Sequence, residues 1–283
     1  RGAKDALRRV DTLLKAGHDW VVDADLKSYF DTIPHDRLLA LVAERVADGR
    51  VLALVESFLR AGVMEESKGW QPTERGTPQG GVISPLLANL YLNPLDQQME
   101  RAGWAMVRYA DDFVILCRSE AEAHAALAAV RAWVSEAGLT LHPEKTRVVN
   151  ATQPGGFDFL GYHFERGMRW PRKKSLAKLK DRLRIKTTRL DGRSLPEIVA
   201  DVNRSLRGWY GYFQHSKATT FGYVDGYVRR RLRSLLQWRK DGRGYGKGAA
   251  HQRWPNAWFA HCGLLSLAAE HKWTRTIVCL RTH

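Results

Sequence analysis

Hydrophobic residues recur at helical spacing at the start of the chain and then give way to an extended run. Residues 1–16 place their apolar side chains three or four positions apart, which predicts a helix ended by Gly17. Residues 21–30 (VVDADLKSYF) predict a strand that carries two acids out of a hydrophobic entry. A helix is predicted from Pro34 to about residue 46, and another over residues 51–61.

Two further helices are predicted from their start signals. Ser84 and Pro85 supply a capping residue and a first-turn proline, and the helix that they begin stops before Gly103. The capping sequence at residues 119–122 (SEAE) begins another helix, which ends at Gly138.

Two short apolar runs between these helices predict a β-hairpin. Residues 104–109 and 113–116 are extended, and Asp111 and Asp112 lie at the turn between them. The order strand, helix, hairpin, helix predicts an α+β fold, an antiparallel sheet with helices packed on one face.

The last half of the chain changes from strands to basic helices. Residues 139–149 and 156–169 have strand-like patterns. Helices are predicted from Trp170 onward, over residues 195–213 and over residues 221–238. The first of them is expected to bury Leu176, Leu179, Leu183 and Ile185. Three regions follow: a sheet-containing domain over residues 1–166, a helical domain over 167–245 and a basic, aromatic C-terminal segment over 246–283, irregular apart from one short helix.

Charge is distributed unevenly between these regions. Residues 1–166 contain 19 Lys and Arg against 23 Asp and Glu, a net charge of −4, while residues 167–283 contain 26 against 7, a net charge of +19. A cationic half of this kind is typical of a surface that binds a polyanion. Nucleic acid is favoured over a membrane because no amphipathic apolar face accompanies the charge.

The sequence lacks the marks of several other protein classes. It has no apolar run of 18 residues and no visible signal peptide, so we expect a soluble, cytoplasmic protein. Cys117, Cys262 and Cys279 are scattered without metal-ligand spacing, which argues against a zinc site.

The acids at the strand ends are the main candidates for chemistry. Asp111 and Asp112 taken alone are suited to a solvated turn, and Asp23 and Asp25 to a strand end that faces water. Carboxylates brought together at one end of a sheet would repel each other unless divalent cations neutralised them. A cluster of this kind therefore predicts nucleotidyl transfer with two Mg²⁺ ions.

Three other features have an ordinary structural interpretation beside a functional one. The glycine-rich residues 74–85 (ERGTPQGGVISP) form either a flexible loop or a close approach to a phosphate or base. Lys145 is typical of a solvated surface lysine, and His35 of a residue at a helix start.

Five sequence blocks together resemble the reverse transcriptases encoded by bacterial group II introns. They occur in the family's order over residues 19–164: VVDADLKSYFDTIPH, RGTPQGGVISPLLANLYL, RYADDFVIL, GLTLHPEKT and FLGYHF. The later LRGWYGYF and VDGYVRRRLR resemble the family's maturase-specific thumb. The resemblance implies a polymerase palm followed by a helical thumb.

The resemblance assigns roles to individual residues. Asp25, Asp111 and Asp112 match the catalytic acids that bind two Mg²⁺ ions, with Mn²⁺ as a substitute. Residues implied in nucleotide and template binding are Leu26, Tyr29, Phe30, Gln79, Gly80 and Lys145, and Tyr29 matches the position beneath the incoming sugar. Residues implied in gripping the primer end are Phe159, Leu160, Gly161 and Tyr162.

The basic residues expected to bind RNA come from the charge pattern. They are Arg172, Lys173, Lys174, Lys180, Arg184, Arg229, Arg230 and Arg231. Implied partners are group II intron RNA, an RNA template with a DNA primer, deoxynucleoside triphosphates and target DNA. No membrane partner is implied, and the sequence leaves open whether the chain forms a dimer. The fingers blocks expected before residue 1 are absent from the printed sequence, so we expect this chain to bind RNA and to polymerise poorly in isolation.

The leading hypothesis is an RNA-directed DNA polymerase that also binds intron RNA and aids its splicing and mobility. Two alternatives stay open: a non-enzymatic maturase that only binds RNA, and a host-defence or diversity-generating reverse transcriptase. The intact acids argue against the first alternative, and the LRGWYGYF segment argues against the second.

Overall fold

The computed structural model describes residues 2–65, 69–71, 73–77, 81–242 and 248–281. The chain divides into two compact units. The first comprises Arg1–Leu160 and Glu165–Gly167, and the second comprises Gly161–Phe164 and Met168–His283. The predicted domain boundary at residue 166 lies in the stretch 161–168, where the chain passes from one unit to the other. Residues 246–283 belong to the second unit.

The first unit mixes helices with antiparallel strands. Its helices are α1 (Ala3–Lys15), α2 (Tyr29–Thr32), α3 (His35–Ala43), α4 (Gly49–Arg60), α5 (Ser84–Arg101) and α6 (Glu120–Glu136). Its strands are β1 (Trp20–Ala24), β2 (Val63–Glu65), β3 (Gly69–Gln71), β4 (Ala105–Tyr109), β5 (Asp112–Cys117), β6 (Arg147–Asn150) and β7 (Phe157–Phe159).

The main sheet has the strand order β4-β5-β1-β6, and its pairings are antiparallel. In the central pair, Val22 lies opposite Ile115 and Ala24 opposite Phe113. Because successive side chains of a strand point to opposite faces, these four share one face of the sheet. All four are buried in a core to which α5 and α6 contribute apolar residues such as Leu92 and Val130. The predicted α+β architecture is confirmed.

The predicted strand over residues 21–30 is wrong in its second half. β1 ends at Ala24, and Leu26 makes only an isolated bridge with Leu141. Ser28 then has a left-handed backbone with φ of 49°, which turns the chain into the short helix α2. The strand-like segment after residue 139 is likewise shorter than predicted, since its regular strand is Arg147–Asn150.

The second unit is mainly helical. Its elements are β8 (Tyr162–Glu165), β9 (Met168–Pro171), α7 (Lys173–Lys186), α8 (Leu195–Phe213), α9 (Thr219–Asp241), α10 (Ala249–Arg253), α11 (Asn256–His261) and α12 (Leu267–Arg281). Leu179 and Leu183 of α7 are buried, but the predicted burial of Ile185 is wrong, because its side chain is 73% exposed. Among the described residues, no helix is long and apolar enough to cross a membrane.

The C-terminal region is more helical than the sequence predicts. It forms α10, α11 and α12 instead of an irregular segment with one short helix. The start of α12 is fixed from far away in the chain: the buried Asp225 carboxylate accepts the backbone N–H groups of Leu267 at 2.9 Å and Ala268 at 3.2 Å. This acid satisfies donors that a local capping residue would otherwise serve.

Candidate active site

The pairing of β1 with β5 brings the segment that carries Asp25 to the acidic hairpin. Ala24 and Phe113 form the last pair of β1 with β5, and Asp25 directly follows Ala24. Asp112 begins β5 directly after the hairpin turn that carries Asp111. Asp25 and Asp112 therefore flank the same end of these two strands, and the predicted meeting of their carboxylates stays a prediction.

Each of these acids has its own partner. Lys145 donates to Asp25 Oδ2 across 2.8 Å, and the backbone N–H of Leu160 donates to Asp112 Oδ2 across 3.2 Å. No group of three or more His, Cys, Asp or Glu side chains in the described parts of the chain is arranged to hold a metal ion. The predicted convergence of three carboxylates on metal ions stays a prediction, and Lys145 is the cationic partner of Asp25 in this structure. Carboxylate oxygens are the donors that hard divalent cations prefer, and Asp25 and Asp112 lie at the same end of the two central strands, β1 and β5.

Asp23 lies within β1, two residues before Asp25. It pairs with Arg147 of β6, whose Nε lies 3.4 Å from Asp23 Oδ2. Burial raises the pKa of Asp23 to about 6, and Arg147 opposes that shift. Asp23 is thus a partly desolvated neighbour of the candidate ligands, paired with Arg147.

Tyr29 does not have the exposure that contact with a nucleotide sugar needs. Its side chain is 3% exposed, its hydroxyl donates to the Ala88 carbonyl at 2.5 Å, and burial raises its pKa. The role implied for Tyr29 is therefore wrong, since its ring and hydroxyl belong to the core beside α5. Phe30 packs edge-on against Tyr29 with ring centroids 5.5 Å apart and is only partly buried.

The start of the glycine-rich loop is docked on the segment that carries Phe30. Gly76 donates its N–H to the Ile33 carbonyl at 2.8 Å, and Thr77 donates to the Phe30 carbonyl at 2.6 Å. His35 Nε2 lies 2.6 Å from the Gly76 carbonyl oxygen and can donate to it as the Nε2–H tautomer. A Cβ on Gly76 would lie 2.6 Å from the Phe30 carbonyl oxygen, so only glycine fits.

His35 makes a long-range contact that the sequence did not reveal, since the sequence indicated only a residue at a helix start. The imidazole is 8% exposed, and its partner lies 41 residues away, which no local pattern signals. Gln79 and Gly80, predicted to bind the nucleotide and template, lie outside the described residues.

The predicted primer-gripping residues form a tight turn. Leu160 and Gly161 have φ of 47° and 82°, as at the centre of a type I′ hairpin turn. Phe159 is buried in the first unit. Tyr162 is buried in the second, where its hydroxyl donates to the Tyr212 carbonyl at 2.7 Å and burial raises its pKa to about 12. The backbone of this turn, rather than either buried ring, is therefore the part that is available to contact a primer.

The predicted RNA-binding residues differ in availability. Arg172, Lys173, Lys174, Arg184 and Arg230 are exposed, while Lys180, Arg229 and Arg231 are partly buried. Lys180 donates to the Tyr223 hydroxyl, and Arg184 pairs with Asp181 at 2.7 Å.

The Arg231 side chain is hydrogen-bonded to the end of α7. Its guanidinium donates to the Thr187 carbonyl at 2.8 Å and to the Arg184 carbonyl at 3.4 Å at the end of α7. These contacts satisfy carbonyls that a helix terminus leaves unpaired. These contacts give Arg231 a capping role, and the RNA-binding role predicted for it stays a prediction.

Comparison with known families agrees with this geometry. The family described as "Reverse transcriptase (RNA-dependent DNA polymerase)" matches residues 3–164, and the one described as "Group II intron, maturase-specific domain" matches residues 176–254. The first match includes β1, the acidic hairpin and α6, and the second includes most of α7 together with α8 and α9.

Individual relatives match parts of the chain. The group II intron-encoded protein LtrA of Lactococcus lactis subsp. cremoris is 45% identical over 83 residues, which cover 29% of this chain and 13% of LtrA. Protein YkfC of Escherichia coli (strain K12) is 31% identical over 182 residues, covering 52% of this chain and 47% of YkfC.

One solved structure has a similar fold. The apo telomerase of Candida tropicalis superposes with a TM-score of 0.52 at 14% identity, covering 90% of this chain and 46% of that one. The chain spans less than half of the length of each of these proteins. Because the first family match extends over more than half of the chain and the maturase-specific match follows it in order, the chain belongs to the reverse transcriptase family, in its group II intron-encoded branch.

Proposed function

We propose that this chain carries the catalytic palm of an RNA-directed DNA polymerase, which extends a DNA primer on an RNA template with deoxynucleoside triphosphates. The observation that supports this most is that Asp25 follows β1 at the end where Asp112 begins the paired strand β5, with Asp111 in the adjoining turn. A protein that only bound RNA would gain nothing from acids held where they repel phosphates.

Asp25, Asp111 and Asp112 are the residues that would hold divalent ions, Mg²⁺ in this proposal. When bound, such ions lower the pKa of a primer 3′-hydroxyl and neutralise charge on the transferred phosphoryl group. The protein's own contribution is to position these carboxylates. The pairing of β1 with β5 brings the end of β1, next to Asp25, beside the start of β5, and the Leu160 N–H donates to the Asp112 carboxylate.

Two neighbouring side chains are suited to binding the incoming nucleotide. Lys145 is 60% exposed at its side chain and lies beside Asp25, so its ammonium can neutralise a triphosphate. Phe30, rather than Tyr29, is the partly exposed aromatic of the segment after Asp25, and we assign it to contact with the sugar.

The helical second unit is proposed to bind the RNA. Exposed Arg172, Lys173 and Lys174 lead into α7, in a region of net charge +19, where phosphate contacts would dominate affinity. The maturase-specific match over residues 176–254 supports intron RNA as the bound RNA and a role in its splicing.

Measuring both primer extension and RNA affinity in the full-length protein would distinguish this proposal from a role in RNA binding alone. Asp25→Asn is expected to abolish primer extension on an RNA template while RNA affinity changes less than about twofold, because the substitution removes a metal ligand and no cation. Unchanged primer extension by Asp25→Asn would overturn the polymerase assignment and leave the RNA-binding role.

A further inference from the structure

A buried arginine underlies the acidic turn. Arg108 lies opposite Phe113, whose side chain is fully buried, so Arg108 points toward the core face of the sheet. Its side chain is only 12% exposed. A charged group in this position is uncommon unless it is fully hydrogen-bonded.

The guanidinium uses its planar fork to join three different groups. Nε donates to Asp96 Oδ1 at 2.8 Å, and Nη2 donates to Asp96 Oδ2. Nη1 donates to Asn89 Oδ1 at 2.8 Å and to the Ala110 carbonyl at 2.8 Å. Asn89 and Asp96 both lie on α5, so Arg108 connects that helix to the turn that precedes Asp111.

The turn needs such support because its backbone is strained. Ala110 has φ of 57°, a left-handed conformation that costs a residue with a Cβ about 1–2 kcal/mol. The Ala110 carbonyl shares a peptide plane with the Asp111 nitrogen. Fixing that oxygen therefore sets the direction in which the chain enters Asp111 and Asp112.

Stability alone does not account for this arrangement. The Arg108–Asp96 pair is partly exposed, at 12% and 34% of the two side chains, and a pair of this kind contributes little to stability. What an apolar residue could not do is hold the Ala110 carbonyl. Helix α5 also accepts the Tyr29 hydroxyl at Ala88, one residue before Asn89, so it supports both the hairpin and the segment after Asp25.

We propose that Arg108 is a positioning residue, which α5 orients through Asp96 and Asn89 and which holds the Ala110–Asp111 peptide so that the hairpin acids face a divalent ion. This role rests on the proposed function. It predicts that the fork geometry matters, because lysine supplies the charge without the planar set of donors.

The test compares Arg108→Met, Arg108→Lys and Asp96→Asn in the full-length protein. Hydrogen exchange at the amides of Ala110 to Asp112 reports on the turn, and Mn²⁺ binding followed by electron paramagnetic resonance reports on the acids. Arg108→Met and Arg108→Lys are both expected to lose amide protection and to bind Mn²⁺ about tenfold more weakly, as residues that orient metal ligands do. Asp96→Asn should show a smaller loss of the same kind.

Val130→Ala is the matched control for lost stability, because Val130 is fully buried in α6. It should unfold more readily and bind Mn²⁺ as the wild type does, because Val130 is not among the hydrogen-bond partners of Arg108. Wild-type Mn²⁺ affinity or wild-type amide protection in Arg108→Met would overturn the positioning role. Neither hydrogen exchange nor Mn²⁺ binding depends on polymerase activity. Primer extension that survives Asp25→Asn would therefore overturn the proposed function and could not be confused with a change in either measurement.

Discussion

Lys145 neutralises the first of the candidate catalytic acids, with Nζ 2.8 Å from Asp25 Oδ2. Residue 145 precedes β6, whose pairing with β1 brings Arg147 opposite Asp23, and the two ion pairs follow each other along the sheet edge. Because both partners of the Lys145 pair are well exposed, the pair itself contributes little stability. The role of the pair is to hold a positive charge beside the candidate active site.

Replacing Lys145 with Met should weaken nucleotide binding. Loss of a charge-assisted contact to a triphosphate is expected to raise the KM for deoxynucleotides about tenfold and to change kcat less. Steady-state primer extension measures both constants. Lys27→Met is the matched control, since Lys27 is an exposed lysine of the adjacent segment. Equal effects of the two substitutions would contradict the role given to Lys145.

Phe30 and Tyr29 should have separable roles. Phe30→Val is expected to raise ribonucleotide incorporation about tenfold, because a smaller side chain no longer excludes a 2′-hydroxyl. Tyr29→Phe removes the hydrogen bond to Ala88 and should cost about 1 kcal/mol of stability without altering sugar selection. Competition between the two nucleotide types decides between them. Relaxed selection in Tyr29→Phe together with normal selection in Phe30→Val would reverse the assignment.

Gly76 should tolerate alanine far less well than Gly17 does. Both have a left-handed backbone, with φ of 86° and 83°, but a Cβ on Gly76 meets the Phe30 carbonyl at 2.6 Å while one on Gly17 meets nothing within 4 Å. Gly17→Ala should cost about 1 kcal/mol for the backbone alone, and Gly76→Ala about 3 kcal/mol because the clash adds to it. Urea unfolding measures both, and equal costs would contradict the docked loop.

Asp23 should make stability depend on pH. Its folded-state pKa of about 6 lies above the ordinary 3.8, chiefly through burial, so it favours the folded state while protonated and loses that contribution as pH rises through 6. Asp23→Asn removes the titration. The free energy of unfolding of the wild type, relative to this variant, should fall by about 1 kcal/mol between pH 5 and pH 8. A difference that rises with pH would show that Arg147 dominates instead.

Local patterns predict the acidic hairpin and the helices around it. Two short apolar runs with acids between them are enough to predict β4 and β5, and Ser119 caps α6 from the adjacent position by accepting the Glu122 N–H. The family resemblance also predicts that the ends of β1 and β5 next to Asp25 and Asp112 lie together. These features depend on residues whose effect is local or whose partners belong to recognised blocks.

Other features depend on contacts that no local pattern contains. The burial of Tyr29 follows from the left-handed Ser28 and the distant Ala88 carbonyl, and the start of α12 follows from Asp225. Arg231 looks like part of a basic surface in sequence, yet its partners are carbonyls at the end of α7. In each case a polar group finds a partner more than 40 residues away, which only the folded chain reveals.

The most direct measurement of the account is a double-mutant cycle on Asp25 and Asp112. Primer extension on an RNA template with Mg²⁺ is measured for the full-length wild type, Asp25→Asn, Asp112→Asn and the double variant. Residues that act as one unit lose their effects together, so the double variant should be no slower than the slower single variant, and each single variant should be at least about 1,000-fold slower than the wild type. Effects that multiply in the double variant, or a single variant that extends the primer at the wild-type rate, would contradict a shared catalytic site.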